Sequence, residues 1–201
     1  MKQLRLVLLL TATALLPACD TAPRPLPPIE TYFSPKGGVT DAVVREIDAA
    51  GQTIFVQAYS FTSAKIAEAL VNAQRRGVVV HVILDRSNAT EKYSSADFLA
   101  HSDVPVLIDA RHEIAHNKIM ILDAQVVITG SFNFTKQAET SNAENLLIIR
   151  DRSIAQRYLE NWHEHQAHSE PYVGRGTEDS APSAEHSRSD RPTPRHEHRT
   201  R

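Results

Sequence analysis

The 201-residue sequence predicts an α/β layered domain with a central mixed β-sheet flanked by helices. Three features carry that prediction. Short β-branched runs alternate with segments whose apolar residues recur at helical spacing. One run, VVVHVILD at 78–85, is apolar nearly throughout, as a strand covered on both faces must be. The stretch HNKIMILDAQVVITGSFN at 116–133 reads as two strands folded back about a short turn, which adds antiparallel pairing to the β-α alternation.

In chain order, residues 29–33 form a short strand, and Val39, Val43, Val44 and Ile47 then mark one face of a helix. Residues 53–59 are apolar and β-prone. Ile66, Leu70 and Ala73 mark a second helix that stops at Gly77, where a left-handed residue is easily accepted. The buried strand 78–85 follows, then a weaker helical segment at 96–101 and a short strand at 104–108. In the hairpin, one strand runs to Leu122, Asp123, Ala124 and Gln125 make the turn, and residues 126–129 return. A strand at 145–149 and a helix at 153–165, which carries the only tryptophan, Trp162, complete the domain at residues 29–168.

The two ends differ from this core. Lys2 and Arg5 precede an apolar run at 6–16 that is too short to span a bilayer comfortably, so residues 1–18 read as a removable export signal. The single cysteine, Cys19, closes the tetrapeptide Leu16-Pro17-Ala18-Cys19, which resembles the lipobox of bacterial lipoproteins although Pro17 departs from the usual residue there. A lipidated Cys19 would anchor the chain to a membrane of the cell envelope, each buried methylene adding about 0.8 kcal/mol. Secretory cleavage without lipidation, or an uncleaved anchor, are the alternatives. One cysteine excludes an intrachain disulfide. Residues 19–28, with PRPLPP at 23–28, read as a stiff tether. Residues 169–201 are rich in Ser, Pro, His, Arg and Glu and nearly free of large apolar side chains, a composition that predicts a disordered tail.

Chemistry concentrates in the hairpin. Residues two apart on a strand share a face, so His116 and Lys118 would meet one ligand together. The returning strand brings Gly130, Ser131 and Asn133 back to the same end, Gly130 permitting close backbone approach. A nucleophile or base, a fixed cation and several neutral donors are what a phosphodiester needs as its charge shifts during displacement. Each residue alone is unremarkable. The six-residue spacing H-x-K-x4-D-x6-G-S-x-N, however, would arise by chance in a chain of this length less than about once in ten thousand times at average residue usage.

His116, Lys118, Asp123, Gly130, Ser131 and Asn133 match the signature of the phospholipase D superfamily, and QAYSFTS at 57–63, RRGVVVHVILD at 75–85 and AEN at 143–145 extend the likeness. With a single motif, the chain resembles the compact bacterial endonucleases and the mitochondrial cardiolipin hydrolase group. The resemblance implies a phospholipase D-like fold and catalysis by His116 as nucleophile through a phosphohistidine. It implies that Lys118 and Asn133 bind the non-bridging oxygens, that Ser131 and Gly130 support the phosphate, and that Asp123 is structural. Glu144 would hydrogen-bond the imidazole and fix its tautomer.

A two-step displacement needs an acid and then a base, and one motif supplies one histidine. The expected solution is a homodimer with the site on its two-fold axis, each His116 serving as acid and base for the other. No cofactor and no metal is expected, because Lys118, Asn133 and their symmetry mates would supply the electrostatics. HEHQAH at 163–168 is assigned no metal, since His163 and His165 fall on nearly opposite helix faces. Tyr59, Phe61 and Thr62 either line the cleft or belong to the core.

The substrate is the open question. Residues 29–168 hold 13 Lys and Arg against 17 Asp and Glu, a net of −4, so any basic track for nucleic acid must be local. Arg86, Lys92, Lys136 and Arg150 are the candidates to rim it. The resemblance favours an endonuclease acting on DNA or RNA. A phospholipase D acting on lipid headgroups is the alternative, and a binding module without turnover is a third reading that the intact His116, Lys118, Asn133 and Glu144 oppose.

Overall fold

A computed structural model of the chain describes residues 26–175. The expected export signal, Cys19, most of the tether and residues 176–201 lie outside the described residues.

Eight strands form one mixed sheet. The elements in chain order are β1 (Ile29–Ser34), α1 (Val39–Ala49), β2 (Thr53–Ala58), α2 (Ala64–Arg75), β3 (Val79–Asp85), α3 (Ala96–Ala100), β4 (Val106–Asp109), β5 (Lys118–Leu122), β6 (Val126–Gly130), α4 (Lys136–Thr140), β7 (Glu144–Arg150), α5 (Arg152–Gln166) and β8 (Glu170–Tyr172). Their order across the sheet is β1-β7-β6-β5-β2-β3-β4-β8. Strands β2, β3 and β4 run parallel, joined through α2 and α3, and the other pairings are antiparallel. The predicted layered architecture with a mixed sheet is therefore the observed one.

Strand alternation sorts the core into two layers. Ile54, Val56, Val80, Val82, Met120 and Ile128 pack with the apolar faces of α1 and α2, where Val43, Ile47, Ile66 and Leu70 are fully buried. Ile83, Ile119, Ile121 and Val127 point to the other face and pack under α5 through Ala155 and Trp162. The Trp162 indole is completely buried, and its Nε1–H donates to the Val56 carbonyl at 2.9 Å, so the ring brings its polar atom into the core already satisfied.

The turn between β5 and β6 falls where the sequence placed it. Asp123 and Ala124 both take left-handed backbone, with φ of 52° and 50°, which matches the twist of a tight hairpin. The end of the domain does not fall where the sequence placed it. Residues expected in a disordered tail from 169 instead continue the sheet: Glu170–Tyr172 pair antiparallel with β4, Pro171 opposite Leu107. The Tyr172 hydroxyl donates to Asp97 Oδ1 at 2.7 Å, and the Arg175 backbone N–H and guanidinium also donate to that carboxylate. The physical reason is long-range: the strand covers the open edge of β4, and its anchor is an aspartate in α3 that composition along the tail cannot reveal.

Candidate active site

One rim of the sheet collects five of the six residues of the motif, His116, Lys118, Gly130, Ser131 and Asn133. Lys118 at the start of β5 faces Ala58 at the end of β2, Ile119 faces Thr129, and Gly130 at the end of β6 faces Leu146, with β7 beginning at Glu144. Strands β3 and β4 finish at the same rim, Asp85 opposite Asp109.

His116 lies just ahead of β5, exposed, its ring 4.7 Å from that of Tyr59. The backbone on both sides of it is fixed. Ala115 N–H donates to Asp85 Oδ2 at 2.8 Å, and Tyr59 N–H donates to the Asn117 carbonyl at 2.8 Å. Asp85 is itself buried, its other oxygen receiving the Ser87 N–H and hydroxyl at 2.9 and 2.6 Å. Asp85 was not singled out from sequence. The signal was there, because a charged residue closing a parallel strand stands at the carboxyl edge where open α/β sheets bind ligands.

Lys118 is 7% exposed, and its ammonium donates to the His116 carbonyl at 2.8 Å and stands 5.0 Å from the centre of the Tyr59 ring. Burial lowers its pKa from the usual lysine value, only partly opposed by the charge of Glu144. No carboxylate of a described residue reaches salt-bridge distance from it. Asn133 follows β6 with its Oδ1 buried and without a hydrogen-bond partner.

Ser131 and Glu144 form one unit. The Ser131 hydroxyl donates to Glu144 Oε2 at 2.6 Å and accepts from the Asn145 backbone N–H at 3.0 Å, while Asn142 Nδ2 donates to Glu144 Oε1 at 3.1 Å. Both Glu144 oxygens are thus engaged by neighbours other than His116. The expected carboxylate–imidazole bond is absent among the described contacts, and the ring of His116 has Tyr59 as its close neighbour instead. Gly130 has φ of 156°, and a Cβ there would stand 2.3 Å from the Asn145 carbonyl oxygen, which also accepts the Ser131 and Phe132 N–H groups. Only glycine lets β6 meet β7 this closely.

Asp123 sits at the far end of the hairpin. Its carboxylate accepts the backbone N–H groups of Gly51, Gln52 and Thr53 at 2.8–2.9 Å. Burial pulls its pKa up, but these three donors outweigh it and hold the group below the ordinary carboxylate value. It braces the hairpin at the end away from His116. Arg150, considered for the cleft rim, closes the other end of β7 and pairs with Glu30 and Glu46 at 2.8 Å, so it belongs to the opposite edge. Among the aromatic candidates, Tyr59 reaches the site, whereas Phe61 is fully buried against Phe134 in the core.

Four residues gather at the β4 end of the same rim. Asp109 and His112 meet His165 and His168 of α5 and its following turn. The expectation of no metal ligands in HEHQAH rested on His163 and His165. The structure pairs His165 with His168 instead, which share a face.

Residues 43–165 match the family model described as "Cardiolipin synthase, PLD-like domain". The chain is 48% identical over 134 residues to Phospholipase D of Rickettsia felis, covering 67% of this chain and 67% of that protein. It is 31% identical over 154 residues to the mitochondrial cardiolipin hydrolase of Mus musculus, covering 77% of this chain and 66% of that protein. Among solved structures, Nuc of Salmonella typhimurium, a phospholipase D family member, superposes with a TM-score of 0.70 at 38% identity, covering 73% of this chain and 98% of that one. Taken with the hairpin that carries His116, Lys118 and Asn133, these likenesses show that the chain belongs to the phospholipase D superfamily, as a phosphodiesterase of the Nuc type.

Proposed function

We propose that this phosphodiesterase works through a covalent phosphohistidine on His116 and that its substrate is a nucleic-acid strand. The observation that carries the mechanism is Lys118: a buried ammonium beside the candidate nucleophile that pairs with no carboxylate among the described residues. A phosphate oxygen is the partner such a group lacks. In the first step an imidazole nitrogen of His116 bonds to phosphorus and the bond to the leaving alkoxide breaks, the alkoxide taking a proton from His116 of the partner subunit. In the second, that now neutral imidazole accepts a proton from water, the resulting hydroxide bonds to phosphorus and the P–N bond breaks. The site is complete only in a two-fold dimer, and Lys118 and Asn133 from both protomers stabilise the transferred group without a metal.

The substrate reading rests on local charge. Arg86 and Arg111 follow the ends of β3 and β4, and Lys136 opens α4 just after Asn133; all are exposed and none joins a salt bridge among the described residues. Three cations elsewhere are paired, Lys65 with Asp41, Arg76 with Asp48 and Arg150 with Glu30 and Glu46. Arg86, Arg111 and Lys136 thus add positive charge beside the rim that bears His116, where a phosphate backbone would lie. A second reading, hydrolysis of phospholipid headgroups, is supported by the net charge of −4 over residues 29–168 and by the name Phospholipase D of the relatives at 44–48% identity.

The test is turnover of single-stranded DNA, duplex DNA, RNA and phospholipid vesicles, each with EDTA and with the folded state checked by circular dichroism. Turnover should persist in chelator, disappear in His116→Ala, and leave an acid-labile phosphoryl group on the wild-type histidine in a quenched reaction. Loss of turnover in chelator while the protein stays folded overturns the mechanism, and exclusive activity on vesicles overturns the substrate.

A further inference from the structure

We propose that Asp109, His112, His165 and His168 form a binding site for a zinc-class divalent metal that staples α5 to the loop carrying His116. The Asp109 side chain is completely buried, and one of its oxygens, Oδ2, lies 3.0 Å from His112 Nδ1, 2.8 Å from His165 Nδ1 and 3.3 Å from His168 Nε2. One ligand atom from each of the four residues fits within 4.8 Å of every other. A tetrahedral site with metal–ligand distances of roughly 2.0–2.1 Å has edges of about 3.3 Å. The three oxygen–nitrogen separations, 2.8, 3.0 and 3.3 Å, lie within about 0.5 Å of those edges, and the remaining separations, none above 4.8 Å, close by rotation of side chains.

The donor chemistry points the same way. Three imidazoles and one carboxylate are a borderline-soft nitrogen and oxygen set that suits zinc and its neighbours in the first transition row and not calcium or magnesium, which take oxygen shells. Four protein ligands fill a tetrahedron, which is the closed arrangement of a structural centre. The carboxylate is held in place from behind, since the backbone N–H of Arg111 donates to Asp109 Oδ1 at 3.1 Å and that of His112 stands at 3.5 Å. The end of α5 is held as well, by the Ser169 hydroxyl donating to the His165 carbonyl at 2.8 Å. Such supports orient the ligands, and the half-exposed ring of His112, 45% accessible, leaves an entry path.

The position gives the centre its purpose. His112 and His116 share the loop between β4 and β5, and Ala115 of that loop is pinned to Asp85. A metal would tie the front of this loop to a helix packed on the opposite layer, in a chain whose single cysteine excludes an internal disulfide. The role is structural, and the reaction at His116 does not pass through it.

The experiment uses the full chain, stripped with a chelator and titrated with Zn²⁺ and, in parallel, with Co²⁺. One zinc per chain should remain after gel filtration, the thermal midpoint should rise by several degrees over the stripped protein, and bound cobalt should show the intense visible bands of tetrahedral coordination. The variant His112→Ala/His168→Ala should lose the stoichiometric metal and the cobalt bands. Should that pair of changes prevent folding, His112→Ala alone, on a half-exposed ring, should weaken binding at least tenfold. Substituting the tail histidines His186, His196 and His198 together should leave binding intact. No retained zinc, an octahedral cobalt spectrum, or binding that follows the tail histidines overturns the proposal. Each of these outcomes is independent of whether His116 turns over any phosphodiester.

Discussion

Lys118 shows how a single residue can be poor for the fold and good for the site. Its ammonium is taken out of water and given one carbonyl and an aromatic face in return, an exchange that burial alone makes unfavourable. Replacing it with Met, which keeps the length and drops the charge, should therefore leave the thermal midpoint unchanged or higher. The same change should cut kcat/KM on a chromogenic phosphodiester by about 10²–10³, the usual loss for removing one preorganised stabiliser of transition-state charge. Gly130 is the opposite case, a residue with no chemistry whose smallness sets the chemistry of others. Gly130→Ala forces a methyl against the Asn145 carbonyl oxygen, so β6 and β7 must part. A loss of roughly 1–3 kcal/mol in a urea titration is expected, with a fall in activity as Ser131 leaves Glu144.

At the scale of elements, the β5–β6 hairpin is tight at its turn and braced at its base. Ala124 holds left-handed backbone that an L side chain resists, so Ala124→Gly should stabilise the protein by about 0.5–1 kcal/mol, read as a higher urea midpoint at unchanged slope. Strand β8 offers a pH test. Burial raises the pKa of Asp97, but the Arg175 guanidinium and backbone N–H together with the Tyr172 hydroxyl outweigh it and bring the group to about 2. A carboxylate whose folded value is depressed contributes stability above its unfolded value, near 3.9, and loses it as the pH falls through the folded one. Hydrogen exchange of residues 170–175 should accordingly accelerate between about pH 4 and pH 2, and Asp97→Asn should remove that dependence while exposing the segment at neutral pH.

The whole molecule adds what neither scale contains. If the site needs both copies of His116, mixing wild-type chains with an equal amount of His116→Ala after subunit exchange should leave about a quarter of the dimers active, not half, as counted in an assay at fixed total protein. Much of this architecture was legible in the sequence, because periodicity and turn chemistry are local: the hairpin, the run 78–85 and the spacing of the motif can each be read within a few residues. What escaped was long-range. Asp85 supports His116 from another strand, Asp109 meets His165 across 56 residues, and β8 is anchored by Asp97 in a helix far earlier in the chain. Glu144 escaped differently, since its place was right for the rim but its partners, Ser131 and Asn142, were nearer than the imidazole expected for it.

The two borders of the sheet are unequal, and this bears on how the protein meets its own kind in a crowded compartment. At one border, β8 is three residues long with a proline at its middle, a poor template for any strand that drifts against it. At the other, β1 runs for six residues with Ile29 and Phe33 facing solvent. Among the described residues the β1 flank is thus the better template for strand addition, and a charge placed at Phe33 should slow clumping during refolding.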